Sequence, residues 1–333
     1  MKPFEKLTRR GRQKRFRKIA EVALTCYDLD IARLTFIRDF DNTTFRVGTL
    51  SKTSQARFLL RIHKPHDPIR HSVAGVRSEL MWLGALRRDT DVVVPEPIPN
   101  QHGDFITEVK VDGVPESRPC TLMRWLSGRF VTQSRTRLHC IKMGKLLAQL
   151  HRHSEQWVQP TTFMRPKWDS ESLKKAIDNL RPENHYRRVS QDDFLIFEAC
   201  GQRVLERLKQ LGEGRAVFGV IHHDLHSRNC VFHKGEARPI DFDACGFGYY
   251  FYDFLVTLYD FSSCERHAFF DGYSSVRALS AGYASDVETF WVMRWVHEKA
   301  KMACASPRPE RPSSITVPSE LQKYHQGEPF LYE

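Results

Sequence analysis

No apolar run in the 333 residues approaches the roughly 20 that a membrane-spanning helix needs, and the N-terminus lacks the apolar stretch of a secretory signal. No membrane association is expected. The eight cysteines, at positions 26, 120, 140, 200, 230, 245, 264 and 304, include no C-x-x-C pair, so they read as the reduced thiols of a cytoplasmic protein. Acids are missing from the opening "KLTRRGRQKRFRK", whose eight Lys and Arg supply much of the net charge of +11. Such a stretch can touch nucleic acid or anionic lipid, and its composition also suits an organellar transit peptide. With no aromatic interleaving and no nucleic-acid motif after it, it reads instead as the solvated face of a first amphipathic helix, "RRGRQKRFRKIAEVALTCYDL", and no nucleic-acid partner is expected. No internal repeat is visible.

Against these absences stand an ordinary apolar fraction of 41% and a charged fraction of 27%, enough for a real core. The length suits one large or two medium domains. "TFIRDFDNTTFRVGTL", with the turn formers Asp41 and Asn42, and "ARFLLRIHKP" predict a twisted antiparallel ribbon joined through "SKTSQ". "VAGVRSELMWLGALRRD" has helical periodicity, "VVVPEPI" is held extended by its prolines, and "GDFITEVKVDG" and "PCTLMRWLSG" complete a small sheet. Residues 1–124 are therefore expected to form a sheet lobe and 125–333 a mainly helical lobe, an α+β arrangement. In the second lobe Leu138, Ile141, Leu146, Leu147 and Leu150 are predicted to line one helix face. A helix ending at Gly212, strands at "CVF" and "ARPIDFD", and helices at "FYDFLVTLYDF" and "SDVETFWVMRWVHEKAKMAC" follow, then a Pro/Ser-rich tail and a short last helix.

Chemistry concentrates in "HHDLHSRN". The spacing His222-x-Asp224-x-x-x-x-Asn229 is the kinase catalytic-loop pattern, and "IDFD" follows twelve residues after Asn229. Phosphoryl transfer needs a carboxylate to orient the acceptor hydroxyl and oxygen ligands to hold Mg²⁺ against nucleotide phosphates. About four intervening residues let one loop present both the base and a ligand. A hairpin through "CVFHKGEARPIDF" then supplies the second ligand.

With "NTTFRV", "FLLRIHKP", "RSELMWLGAL", "TLMRWLSG" and "MGKLLAQLH", these motifs make the chain resemble the aminoglycoside phosphotransferase and choline kinase superfamily, which has a protein-kinase-like two-lobe fold. The resemblance covers most of the chain. It implies an ATP- and Mg²⁺-dependent phosphotransferase acting on a hydroxyl-bearing small molecule. By it Asp224 is the catalytic base, Asn229 and Asp241 are Mg²⁺ ligands, and Asp243 assists through water. It also implies that His222 holds the catalytic loop and that His226 faces the γ-phosphate. The nucleotide is expected beside Met123 and Trp125. "RDFDNTTFRV" stands in the place of the phosphate-covering loop, yet contains no glycine; backbone N–H groups of Asn42, Thr43 and Thr44 are its candidate contacts. Arg61 stands where kinases carry a phosphate-binding lysine, with Glu79 as its expected partner, which keeps the charge and changes its geometry.

Other readings compete. His222, His223 and His226 form a possible zinc cluster, though the flanking strands offer no spaced Cys or carboxylate partner. Asp253 reads as a helix cap or a buried anchor of the catalytic loop. His151 and His153 close a helix whose dipole favours imidazolium. Phe290, Trp291 and Trp295 read as core, while Arg294 either pairs internally or reaches the substrate. The acceptor is expected between the insert at about 155–215 and the helices after "IDFD". The insert mixes Asp169, Glu171, Asp178, Asp192, Asp193 and Glu198 with Lys167, Lys174, Lys175, Arg181, Arg187 and Arg188, so an amino alcohol, a sugar or homoserine all fit. A second reading keeps the fold but takes a protein substrate, as the bacterial stress-response Ser/Thr kinases of the superfamily do. A third is a catalytically silent nucleotide-binding protein, against which the intact Asp224, Asn229 and Asp241 argue.

Overall fold

The computed structural model describes residues 3–50, 56–65, 67–132, 134–184, 188–305 and 314–332. The connector at 51–55, Arg187 and the Pro/Ser-rich stretch at 306–313 lie outside the described residues. Two compact units divide the chain: Met1–Gly128 with Val158–Arg165 and Arg238–Asp243, and Arg129–Trp157 with Pro166–Ala237 and Ala244–Glu333. The first is built on an antiparallel sheet and the second is mainly helical, the α+β division that the sequence led us to expect.

In the first unit, α1 (Arg9–Leu24) is capped by Thr8, whose Oγ1 accepts the Gly11 N–H at 3.2 Å. Its apolar positions Phe16, Ile19, Ala20, Ala23 and Leu24 recur at helical spacing and are buried in one core with Phe45, Val47, Leu60, Ile62 and Leu122. Arg9, Arg10, Arg12, Lys14, Arg17 and Lys18 are exposed, so the basic run is this helix's solvated face. The strands are β1 (Ile31–Asp39), β2 (Asn42–Thr49) and β3 (Arg57–His63), then, after α2 (Val73–Asp89), β4 (Pro97–Ile98), β5 (Thr107–Val109) and β6 (Arg118–Arg124). They pair antiparallel in the order β1-β2-β3-β6-β4, with β5 also on β6. β2 runs between two partners and is buried almost throughout, whereas β1 is a largely exposed edge. α2 begins and ends where its periodicity predicted, with Ser72 Oγ accepting the Gly75 N–H at 3.0 Å.

The second unit contains α3 (Arg137–Gln156), β7 (Lys167–Trp168), α4 (Ser170–Asn179), α5 (Gln191–Leu211), β8 (Phe218–Ile221) and β9 (Cys230–His233). β10 (Glu236–Pro239), β11 (Gly246–Tyr249), α6 (Phe254–Leu258), α7 (Ser263–Ser274), α8 (Tyr283–Cys304) and α9 (Ser319–Gln326) follow. β9 and β10 form the expected hairpin, its turn made by Lys234 and Gly235 at φ 50° and 79°, the left-handed pair that a two-residue turn requires. The strand expected over "ARPIDFD" stops at Pro239, because Asp241 at φ 66° cannot continue a ladder. β8 pairs instead with β11, a strand that the sequence did not lead us to expect, and β11 pairs in parallel with β7.

Two further expectations are corrected. Leu138 is 60% exposed, because the buried face of α3 runs through Cys140, Met143, Gly144, Leu147 and Leu150 and leaves its first turn outside. Trp295 is only partly buried, unlike Phe290 and Trp291, which are core. The sequence reading missed α7, although the Ser262-x-x-Glu265 spacing is a capping signature, with the Ser262 N–H donating to Glu265 at 2.8 Å. α7 packs on α3 at two glycines. A Cβ on Gly144 would stand 2.0 Å from the Phe269 carbonyl oxygen, and one on Gly272 would stand 2.0 Å from that of Ile141. Gly144→Ala is therefore expected to cost about 3 kcal/mol, the upper end of overpacking penalties. Gly84→Ala, on the exposed side of α2 with nothing within 4 Å, should gain about 0.5–1 kcal/mol. Thermal unfolding of both variants checks the pair.

Candidate active site

In the second unit, β8 delivers the chain into the loop 222–229, and a buried carboxylate receives it. Asp253, fully buried, accepts the backbone N–H groups of His222 at 2.9 Å and His223 at 2.6 Å, and His151 Nε2 lies 3.3 Å from the same carboxylate. The anchoring role read for Asp253 is thus what its geometry provides. Burial pushes His151 below the ordinary imidazole value, against the pull of Asp253. The imidazolium expected there from the helix dipole is therefore not favoured, and a neutral ring bridges Asp253 and Tyr273 Oη, 2.9 Å from its Nδ1. His223 takes the left-handed conformation, φ 69°, a strained backbone for a side-chain-bearing residue. Its ring stacks on Trp168 at 3.7 Å between centroids, and its carbonyl accepts from Arg294 Nη1 at 2.9 Å. Arg294 is buried and pairs internally, lying also 3.7 Å from Glu298, and it is among the residues that line a cavity beside this loop, so both readings of it have support.

This fixed turn aims the loop's polar groups. His222 Nδ1 accepts the Asp224 N–H at 3.3 Å, and Thr257 Oγ1 donates to the Leu225 carbonyl at 2.7 Å. Asn229 Nδ2 donates to both the carbonyl and the carboxylate of Asp224, at 2.9 and 2.8 Å. His226 Nδ1 accepts the Arg228 N–H at 3.1 Å, and its Nε2 lies 3.9 Å from Asp224 Oδ2. Side-chain exposures of 37% for Asp224 and 29% for His226 leave both within reach of a ligand. A cavity of about 250 Å³ opens beside them, lined by Leu255 and Val256, by the aromatic Tyr259 and Trp295, and by charges of both signs, Asp260 and Glu298 with Arg228 and Arg294. It is lined from the loop and from the helices after "IDFD", with none of the described residues of the 155–215 insert. Several insert acids have local tasks: Asp169 caps α4, Asp178 pairs with Arg181, and Asp193 meets Ser190 at the start of α5.

In the first unit, Arg61 on β3 and Glu79 on α2 form the expected pair, 2.5 Å apart with side chains 4% and 1% exposed. Arg61 Nη2 also approaches Met123 Sδ at 3.8 Å. Burial opposes the charge on Arg61, but Glu79, Asp243 and Asp241 together raise its pKa, so the guanidinium stays ionised. Its Nη1 has no hydrogen-bond partner; it faces Asp241 at 3.9 Å and Asp243 at 3.8 Å. Asp243 is enclosed by cations and imidazoles, with Arg70 Nη2 at 3.5 Å, His71 Nε2 at 3.3 Å and His63 Nδ1 at 4.0 Å, and Arg165 donating to its carbonyl. Burial alone would raise this carboxyl. The His71 hydrogen bond and the Arg61 and Arg70 charges overcome it and hold Asp243 far below the usual carboxylate range.

Asp241, at φ 66°, has one carboxylate oxygen 2.5 Å from Arg38 Nη2 on β1. Arg38, His71 and Arg165 carry no motif; only pairing distant in sequence brings them here. Asn42, Thr43 and Thr44 were read as part of a phosphate-covering loop, but they lie within β2, opposite His63, Ile62 and Arg61 of β3. The loop itself is reduced to Phe40 and Asp41. Trp125 lies just past β6, its N–H bonded to the Arg57 carbonyl at 2.9 Å. Of the histidines weighed for zinc, His222 and His226 already use Nδ1 as backbone acceptors.

A model of the family described as "Phosphotransferase enzyme family" matches residues 33–285. Amicoumacin kinase of Bacillus subtilis (strain 168) is 24% identical over 244 residues, which are 73% of this chain and 67% of that protein. The solved structure of the microcompartment-associated aminopropanol kinase is similar with a TM-score of 0.72 at 26% identity, over 93% of each chain. Amicoumacin kinase hAmiN, in complex with AMP-PNP, Ca²⁺ and Ami, gives a TM-score of 0.73 at 18% identity, over 97% of each chain.

Removing the anchor should loosen the loop. Asp253→Ala leaves two buried N–H groups without their acceptor, at about 1–3 kcal/mol each. Hydrogen exchange should then show lost protection at the amides of His222 and His223, and Asp253→Asn, which keeps one carbonyl oxygen, should fall between. Unchanged protection in Asp253→Ala would remove the anchoring role.

Proposed function

Because the chain belongs to the phosphotransferase enzyme family and is a phosphotransferase acting on hydroxyl acceptors, we propose that it moves the γ-phosphoryl group of ATP, with Mg²⁺, to a small molecule bearing both a hydroxyl and a protonated amine. The observation that carries this reading is the catalytic loop itself: Asp224 is half-exposed, held by Asn229 Nδ2 and the His222 ring, beside a cavity edged by carboxylates and aromatic rings. In it Asp224 orients the acceptor hydroxyl and accepts its proton. His226 lies two residues on, placed to face charge developing on the transferred group. Asp260 and Glu298, whose Oδ2 and Oε1 lie beside Arg135 and Arg294, each keep a second carboxylate oxygen to attract an ammonium group, and Tyr259 and Trp295 offer ring faces for cation–π contact.

The metal fits the donors available. Asp241 and Asp243 in the first unit, and the Asn229 side-chain carbonyl in the second, are each hard oxygen donors, the type Mg²⁺ takes alongside phosphate and water. Asp243 Oδ1 is buried with no hydrogen-bond partner, and the Asn229 amide turns its nitrogen to Asp224, which commits the donor side and not the oxygen. When bound, Mg²⁺ neutralises phosphate charge and holds the phosphates in place. Arg61, kept ionised by Glu79, aims its unpaired Nη1 at the same carboxylates and contributes positive charge toward the phosphates. The nucleotide base is assigned to the end of β6 at Met123 and Trp125, with Asn42, Thr43 and Thr44 nearest the phosphates. We further propose a cytoplasmic location, supported by eight scattered cysteines with no C-x-x-C spacing among them.

Asp224→Ala should lower turnover of an amino alcohol acceptor by about 10²–10⁴-fold, the usual contribution of a general base. The rise in unfolding temperature with Mg²⁺ and ATP should persist, since binding to the native state alone raises it. ATP consumption with panels of amino alcohols and neutral polyols is the readout. A preference for neutral polyols would remove the amine from the proposal, and undiminished turnover in Asp224→Ala would remove the base.

A further inference from the structure

Asp241 has an occupant that the reaction gives no use for. We propose that Arg38 is the resting counter-ion of Asp241 and that a divalent cation must displace it to bind. This rests on the reading of Asp241 as a metal ligand. Arg38 Nη2 lies 2.5 Å from Asp241 Oδ2, and Arg61 Nη1 stands 3.9 Å from the other oxygen. A carboxylate oxygen bound to Mg²⁺ at about 2.0–2.1 Å has no room for a guanidinium in line with the same lone pair. A metal on either oxygen would stand within a few ångströms of the guanidinium, and like charges that close repel, so Arg38 and the metal compete for this carboxylate.

The pair is built to open. Its side chains are 57% and 24% exposed, whereas those of Arg61 and Glu79 are 4% and 1% exposed. Exposed ion pairs are weak and screened by salt, and Arg38 sits on the edge strand β1 with no second ion-pair partner among the described residues. Arg38 is the longer and the more exposed of the two side chains, so it can leave without any movement of the backbone. Opening therefore falls to the arginine. Arg38 immediately precedes Asp39, which is tied by Lys64 Nζ and Thr43 Oγ1, both at 2.6 Å. A displaced guanidinium stays beside the β1–β2 turn and is free to pair with an incoming polyphosphate. Bare metal would have to break the Arg38 pair uncompensated; metal arriving with a nucleotide brings the replacement anion. Arg38 is thus a positioning residue that couples metal binding to nucleotide binding.

Mn²⁺ binding to the full chain, followed by electron paramagnetic resonance without nucleotide, tests this directly. Arg38→Gln should bind Mn²⁺ about fivefold more tightly than the unaltered chain, the factor corresponding to the upper range of exposed ion pairs. Arg38→Lys should remain close to the unaltered chain, and ATP should enhance Mn²⁺ affinity less in Arg38→Gln than in either. Unfolding temperatures report that each variant is folded. Equal or weaker Mn²⁺ binding by folded Arg38→Gln would overturn the proposal while leaving the metal site intact, provided that Asp241→Asn loses Mn²⁺. Undiminished Mn²⁺ binding by Asp241→Asn would instead overturn the metal reading on which the proposal stands.

Discussion

A single buried carboxylate, Asp253, holds the loop on which the chemistry depends. An ionised group out of water is costly unless donors replace its hydration, and here two backbone N–H groups and the His151 ring do so. In return the loop is fixed at its most strained point. His223 keeps φ 69° because its N–H is bonded on one side, its carbonyl is held by Arg294 on the other, and its ring is stacked on Trp168. Asp224 follows directly, so its direction is inherited from these contacts and not from its own side chain.

The first unit solves a different electrostatic problem. Arg61 stands among three carboxylates, and Asp243 among several nitrogen bases, all largely shielded from solvent. Alternating sign keeps both ionised despite burial: Glu79, Asp243 and Asp241 raise Arg61, and His71 with Arg61 and Arg70 lowers Asp243. The same density of positive charge pushes His63 well below the ordinary imidazole value, after burial itself, so this ring stays neutral beside Arg61. Substituting any one member changes the ionisation of the others.

The parts legible in the sequence were those set by local spacing. His222, Asp224 and Asn229 lie within eight residues, and one turn of chain determines their meeting; α2 and α5 declared themselves by periodicity and caps. The Arg61–Glu79 pair was readable only through the family resemblance, which sets a cation of the strand against an acid of the helix after it. Arg38, His71 and Arg165 were not, because sheet register and the path of residues 158–165 bring them to Asp241 and Asp243. The cavity was half legible: the helices after "IDFD" line it, while the described residues of the charged insert, several of whose acids are engaged in caps and ion pairs, do not. The apolar stripe of α3 was misplaced at Leu138 because periodicity gives the face of a helix without saying which turn meets its neighbour.

The turn between β1 and β2 carries a consequence for how ligands are captured. With Asp39 bound by Lys64 and Thr43, and the Phe40 carbonyl accepting from Lys64, a glycine-free turn is braced from both sides. Whatever anion it meets encounters a shape already settled when the chain folded, so little conformational entropy is left to lose on contact. A turn braced in this way has little freedom left to close, so its shape is set by folding and not by a later contact.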